Sequence, residues 1–420
     1  MHKPVATPAL PLSPAESSAM ASRAGQGTPR FPDAAAMAAT LRPDNPVYCV
    51  RPHALRAGAR DFLAQFPGKV LYAVKCNAEP VFVDALYEAG IRHFDTASLP
   101  EIALVKERYP DASAYFMHPV KQRSAIRAAY YQYGVRHFVV DHPDELEKVR
   151  VETGRAEDVT VVVRMATARG AAIYDLGGKF GASVDGTAAL LRTAAQAGHP
   201  VGLSFHVGSQ CLTPASYTAA LRLAADVIER ASVPIRVLDV GGGFPVPYVG
   251  LMPPPLDEYV AAIRTGLEGL DLPEGCELWC EPGRALVAAG ASLVVRVELR
   301  RGNQLYINDG VYGSLSDLKY AGLTFPMRVL RVDGRTSGQL DDFALYGPTC
   351  DSVDHMEGPY RLAADVREGD YIEIGQAGAY TLELRTDFNG FFPDRFVEVS
   401  DPAFLPAPEM EAKPVARAAE

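Results

Sequence analysis

The chain has 420 residues, 48% of them hydrophobic and 22% charged, and its 51 acidic and 41 basic side chains leave a net charge of -10. That length exceeds one ordinary core and predicts two domains, or one large barrel with an addition. The negative balance argues against a phosphate backbone or an anionic membrane surface as the main partner, so neither nucleic acid nor membrane is expected and small molecules stay open.

Residues 1–30 carry Pro4, Pro8, Pro11 and Pro14 among small polar residues and read as a disordered leader without a signal-peptide core. Residues 31–50 end in a β-prone stretch expected to join a sheet of the C-terminal half. From 51 to 290, short apolar runs at 70–74, 91–94, 114–117, 136–140, 159–165, 202–207, 236–240 and 277–280 alternate with helix-compatible segments. The segments include 80–89, 99–108, 121–133, 144–152, 186–197 and 214–229. Eight strands with crossovers predict an α/β fold, a closed (β/α)8 TIM barrel, for which about 250 residues is usual. From 291 to 405 the strand-like runs 292–299, 304–308, 328–332, 342–346, 370–374 and 396–399 are broken by Gly, Pro and Asp, which predicts an all-β domain. Residues 406–420 read as a flexible tail. The six cysteines, at 49, 76, 211, 276, 280 and 350, show neither a disulfide framework nor zinc-ligand spacing, which fits a reducing cytoplasm and predicts no metal.

In a barrel of this kind the C-terminal strand ends share one mouth, where active sites lie. The ends here offer Lys75, Asp95, His118, Asp141, Arg164, His206, the triplet Gly241-Gly242-Gly243, and Glu281 followed by Pro282, Gly283 and Arg284. A partly desolvated Lys75 loses basicity and can condense with a carbonyl, although the same residue fits a snorkelling lysine at a strand end. The glycines with Arg284 suit an anion such as phosphate, and Ser209 can add a hydroxyl; a tight turn is the plainer use of the triplet. His206 can stack on a flat ring or be an ordinary core histidine. Glu281 can hold a proton on a pyridine nitrogen, or cap and pair. Arg164 and Asp95 either orient these groups or form an ion pair. An imine-forming lysine, a phosphate cradle and a carboxylate for a ring nitrogen are together what pyridoxal 5′-phosphate requires. A dinucleotide is disfavoured because no Gly-x-Gly-x-x-Gly follows a strand.

Ten segments resemble the fold-type III pyridoxal-phosphate decarboxylases, most closely the eukaryotic-type ornithine decarboxylases. They begin with Tyr72-Ala73-Val74-Lys75-Cys76-Asn77 and Phe94-Asp95-Thr96-Ala97-Ser98, continue through Lys179-Phe180-Gly181, His206-Val207-Gly208-Ser209, Gly241-Gly242-Gly243-Phe244-Pro245 and Glu281-Pro282-Gly283-Arg284, and reach Asn308-Asp309-Gly310-Val311-Tyr312-Gly313, Gly347-Pro348-Thr349-Cys350-Asp351, Gly378-Ala379-Tyr380-Thr381 and Phe388-Asn389-Gly390-Phe391. The resemblance implies a barrel, a C-terminal β domain, and a homodimer that completes its active sites across the interface. It implies that Lys75 holds the cofactor as a Schiff base, with His206 on the ring face and Glu281 at the ring nitrogen. Ser209, Gly242, Gly243, Gly283, Arg284 and Tyr380 are implied around the phosphate. Cys350 is implied as the partner-supplied proton donor, Asp351 as the ligand of the substrate's distal ammonium, and Phe388 as a pocket wall.

One departure concerns the substrate. Where the family usually has a Tyr-Asp pair whose carboxylate also binds the distal amine, this chain has Tyr320-Ala321. A hydrogen bond to a charged group is worth about 1.5–3 kcal/mol, so its loss implies weaker ornithine binding, a pocket served by Asp317 or Asp354, or another amine such as lysine. Ornithine, giving putrescine for polyamine biosynthesis, is expected first. Lysine and diaminopimelate decarboxylases of the same fold are the alternatives, as is a catalytically dead binding protein of the antizyme-inhibitor kind.

Overall fold

The computed structural model describes residues 28–167, 172–174 and 178–407. Residues 1–27 of the expected leader and the tail from 408 onward lie outside the described residues. Arg30, placed at the end of that leader, instead pairs with Glu398 in a parallel ladder.

Eight parallel strands close into a barrel in chain order: β1 (Lys69–Ala73), β2 (His93–Thr96), β3 (Ser113–Phe116), β4 (His137–Val140), β5 (Thr160–Arg164), β6 (Val201–Ser204), β7 (Val237–Asp239) and β8 (Glu277–Cys280). Closure comes from Trp279 and Cys280 of β8 pairing with Lys69 and Val70 of β1. The crossover helices Pro80–Ala89 and Leu99–Arg108 have local causes. Pro80 opens the first with its φ already fixed, and Gly90 ends it at φ 117°, which a side chain would resist. In the second, Ser98 accepts from the Glu101 amide while Glu101 reaches back to the Ala97 amide. The helices Pro52–Gln65 and Leu256–Leu267 are among those that fall outside the segments named from the sequence. Gly58 interrupts the first, and the second follows the proline cluster Pro253-Pro254-Pro255.

The barrel interior is filled by Leu71, Tyr115, Met117, Val139, Val162, Val237 and Trp279. The Trp279 ring meets Tyr115 and His137 edge-on, at centroid distances of 4.9 and 5.2 Å. Side chains two residues apart on a strand share a face. One step past this apolar plug, toward the C-terminal end, the inward positions become Asp141, Arg164, Asp239 and Glu281. A dry floor thus lies beneath a charged mouth.

The C-terminal sheet is organised by the strand Ala291–Arg301, which pairs antiparallel with Gln304–Ile307, with Tyr371–Ile374 and with Val47–Val50. The strand His355–Ala363, antiparallel to Leu340–Tyr346, was not among the runs read from the sequence, because Gly358-Pro359 interrupts it.

Hydrogen bonds lock the β domain to the barrel mouth. Asn77 Nδ2 donates to the Gly378 carbonyl at 2.8 Å and the Tyr380 amide donates to the Cys76 carbonyl at 2.9 Å. A Cβ on Gly378 would stand 1.8 Å from the Val287 carbonyl oxygen, so only glycine permits the approach. Tyr380 is thereby carried to the turn that holds Lys75. Among the described residues, no helix is long and apolar enough to cross a membrane.

Candidate active site

Lys75 lies just beyond β1, on the 3-10 turn Val74–Cys76, rather than within the strand. Its Nζ is 2.9 Å from Asp95 Oδ2, and Asp95 is buried at the end of β2. Burial lowers the basicity of this amine, but Asp95, Glu281 and Tyr380 more than offset it and raise its pKa above the ordinary lysine value. The expectation of a less basic lysine is therefore corrected: neighbouring carboxylates win over desolvation. The possible Arg164–Asp95 ion pair is also replaced, since Asp95 pairs with Lys75. The Arg164 guanidinium carbon instead stands 5.8 Å from the Phe180 ring centre.

His206 follows β6. Burial, with Arg164 and Lys75 nearby, pushes its pKa well down, so the ring is neutral. The Gly208 amide donates to Nδ1 at 3.0 Å, which leaves the proton on Nε2. A Cβ on Gly242 would stand 3.0 Å from that Nε2 and 2.5 Å from the Glu281 carbonyl oxygen. Gly241 and Gly243 adopt φ of 69° and 106°, and a Cβ on either would strike the Phe205 or Gly208 carbonyl. The triplet is thus bare backbone between β6 and β8, beside Ser209 on the short strand Ser209–Cys211.

Glu281, just past β8, is buried, and burial with Asp239 and Asp95 raises its pKa well above the usual carboxylate range. Asp239, which the sequence reading missed, is fully buried on β7. Its Oδ1 accepts from the Gly241 amide at 2.9 Å, and burial pushes its pKa up to about 6 despite that bond and the neighbouring Glu281 side chain. An ionisable residue in a run as short and apolar as Val237–Asp239 was the available signal.

Arg284 is buried, with Nη1 donating to Tyr248 Oη at 2.7 Å and to Asp317 Oδ2 at 3.1 Å. Its guanidinium lies 5.0 Å from the Tyr380 ring centre, and among the described residues its buried Nε has no partner. Gly283 stands so close that an added Cβ would be 2.9 Å from Cys76 Cβ. Lys75, His206, Glu281, the glycines, Arg284 and Tyr380 therefore gather at one mouth. An unmatched guanidinium N–H, a side-chain-free cradle and a carboxyl group beside a reactive amine fit a phosphate-bearing heterocyclic aldehyde, the chemistry of pyridoxal 5′-phosphate.

A second group forms on the β domain. Asp351 Oδ2 accepts from Tyr312 Oη at 2.6 Å, Phe388 packs on Tyr312 with centroids 4.8 Å apart, and Cys350 Sγ is 3.4 Å from Asn389 Oδ1. Tyr312 holds the Asp351 carboxyl below its usual range. Cys350 is exposed, Phe388 is 40% exposed and Tyr320 is 68% exposed. Among the described residues, no hydrogen bond or ion pair joins this group to Lys75. Asp317 and Asp354, weighed as substitutes for the missing distal carboxylate, are committed elsewhere: Asp317 to Arg284 and Tyr174, Asp354 to the Val311 amide and Thr349.

Residues 53–288 match the family model described as pyridoxal-dependent decarboxylase, pyridoxal binding domain. The chain is 34% identical over 332 residues to a lysine/ornithine decarboxylase of Selenomonas ruminantium, spanning 77% of this chain and 81% of that protein. It is also 34% identical to antizyme inhibitor 2 of Xenopus laevis, with 79% and 75% covered. The lysine/ornithine decarboxylase of Vibrio vulnificus, solved with putrescine, superposes with a TM-score of 0.75 at 30% identity, covering 88% of this chain and 99% of that one.

Proposed function

Because this chain belongs to the pyridoxal-dependent decarboxylases, and so works on an amino acid with pyridoxal 5′-phosphate, we propose that its substrates are the basic amino acids lysine and ornithine. The cofactor, when bound, supplies a cationic ring that accepts the electron pair left as carbon dioxide departs. Lys75 would hold it covalently, neutral His206 would cover the ring, and Glu281, supported by Asp239, would meet the ring nitrogen. The glycine turns, Ser209, Arg284 and Tyr380 hold the phosphate. Asp95 keeps the Lys75 side chain in place and sets its charge.

Asp351 receives the substrate's distal ammonium, Phe388 and Tyr320 border the pocket, and Cys350 Sγ delivers a proton to the substrate carbon after carbon dioxide leaves. The exposure of this group in a single chain supports a homodimer in which it faces the Lys75 mouth of the partner. The observation that carries the substrate reading is the commitment of Asp317 and Asp354 elsewhere, with Ala321 supplying no charge. One carboxylate at the far end cannot fix chain length as sharply as two, so lysine stands beside ornithine rather than behind it. The similar enzymes from Selenomonas ruminantium and Vibrio vulnificus are named for both amino acids.

Carbon dioxide release across lysine, ornithine, arginine and diaminopimelate tests this. Comparable kcat/KM for lysine and ornithine, well above the other two, is the expected result. Preference for diaminopimelate would overturn it, and absence of turnover would favour a binding role like that of an antizyme inhibitor.

A further inference from the structure

Arg284 is only partly free to meet an anion, since its Nε is open but its Nη1 is taken. Its Nη1 already touches the carboxylate of Asp317 at 3.1 Å, with the two side chains only 3% and 6% exposed. Tyr174 donates a further hydrogen bond to the other oxygen of Asp317, and Tyr248 occupies Nη1 as well. A buried carboxylate beside a buried guanidinium cancels its charge, so the corner offered to a phosphate has little net positive charge. The remaining attraction comes from the backbone of the glycine turns. Asp317 sits on a separate short helix, Ser316–Tyr320, and its carbonyl accepts from the Ala321 and Leu323 amides, so the carboxylate is held by the fold.

We propose that Asp317 is an internal competitor for the phosphate of the cofactor: it occupies Arg284, weakens anion binding, and sets the cofactor affinity of this chain below what the cradle alone would give. The inference rests on the reading of the barrel mouth as a pyridoxal-phosphate site. It concerns affinity, not the reaction. A dianion sharing Arg284 with Asp317 meets a like charge a few ångströms away, and that repulsion is absent when position 317 is neutral.

The experiment titrates the full chain, stripped of cofactor by dialysis, with pyridoxal 5′-phosphate followed by absorbance, and separately with inorganic phosphate followed by calorimetry. Asp317→Asn is expected to lower both dissociation constants about tenfold, or ~1.4 kcal/mol. Asp317→Ser should act in the same direction if the asparagine variant fails to fold, while Asp317→Glu, which keeps the charge, should not tighten either ligand. Unchanged or weaker binding of both ligands in a folded neutral variant overturns the proposal and makes Asp317 a positioning residue for Arg284. If the wild-type chain binds phosphate but forms no lysine-bound chromophore, the cofactor reading fails while the phosphate arm still decides the competition. Phosphate bound by neither protein overturns the proposal.

Discussion

The Lys75 ammonium lies 2.9 Å from the carboxylate of Asp95. The group proposed to attack the cofactor's aldehyde is therefore stored as a cation, because the carboxylates around it outweigh the effect of its burial. With a folded pKa above the unfolded one, the pair's stabilising contribution is fully present below about 10.4 and is lost only as pH rises through the folded value. Between pH 6 and 9 it is constant. Condensation needs the neutral amine, so cofactor capture by the stripped chain should accelerate with pH across that window.

Asp95→Asn should lower the amine's pKa and quicken capture at pH 7–8 by roughly tenfold, the equivalent of about one pKa unit. Stopped-flow absorbance measures it. A slower variant with the same pH slope would mean that Asp95 does not set the charge of Lys75.

Glu281 and Asp239 are shifted in the same direction, but their window lies at lower pH. Both hold protons in the fold at pH values where the unfolded chain has released them, so without cofactor the stability they contribute falls as pH rises from about 4 upward. Glu281→Gln removes one member, and the stripped variant should melt higher at pH 7 than wild type, with a flatter pH profile. With cofactor, the same variant should lose about 10²–10³-fold in kcat, as expected when a group aimed at developing charge is neutralised. Thermal melts from pH 4 to 8 and steady-state rates test the two halves separately.

At the distal end, Asp351→Asn should raise KM for lysine and ornithine by roughly 10–100-fold, the value of one hydrogen bond to a charged group, with little change in kcat. Cys350→Ala should instead slow turnover and divert part of it to aldehyde through misplaced protonation. Product analysis by mass spectrometry separates these roles; unchanged product ratios in the alanine variant would remove Cys350 from the proton path.

If the sites are completed across a dimer, mixing inactive Lys75→Ala with impaired Cys350→Ala after subunit exchange should restore activity toward about a quarter of wild type, because half of the dimers then carry one intact site of two. No recovery despite demonstrated exchange would place the Cys350 group and Lys75 of one chain in the same site.

The barrel was legible because each buried parallel strand is a short apolar run bounded by turn residues, and the strand tips advertised themselves by their charge. Lys75, His206, Glu281 and Arg284 were named on that basis, and the structure brings them to one mouth. Other features hid for physical reasons. The strand His355–Ala363 contains Gly358-Pro359 and lacks an apolar run, and the helix Leu256–Leu267 is prefaced by prolines. The apolar run 236–240 places Asp239 one residue short of its end, inside the strand, whereas the strand stops at Asp239 and puts its carboxylate at the rim. The hold of Asp317 on Arg284 joins residues 33 positions apart on different domains, which no local pattern reveals. The direction of the Lys75 shift depended on how many carboxylates the folded barrel collects around one amine.

Lys75 is proposed to carry pyridoxal 5′-phosphate covalently at the barrel mouth. Borohydride reduction of the purified protein, followed by digestion and peptide mass spectrometry, reads it directly. The account predicts one stoichiometric pyridoxyl adduct, on the peptide containing Lys75, and none in Lys75→Ala. An adduct on another lysine, or none after incubation with excess cofactor, would contradict it.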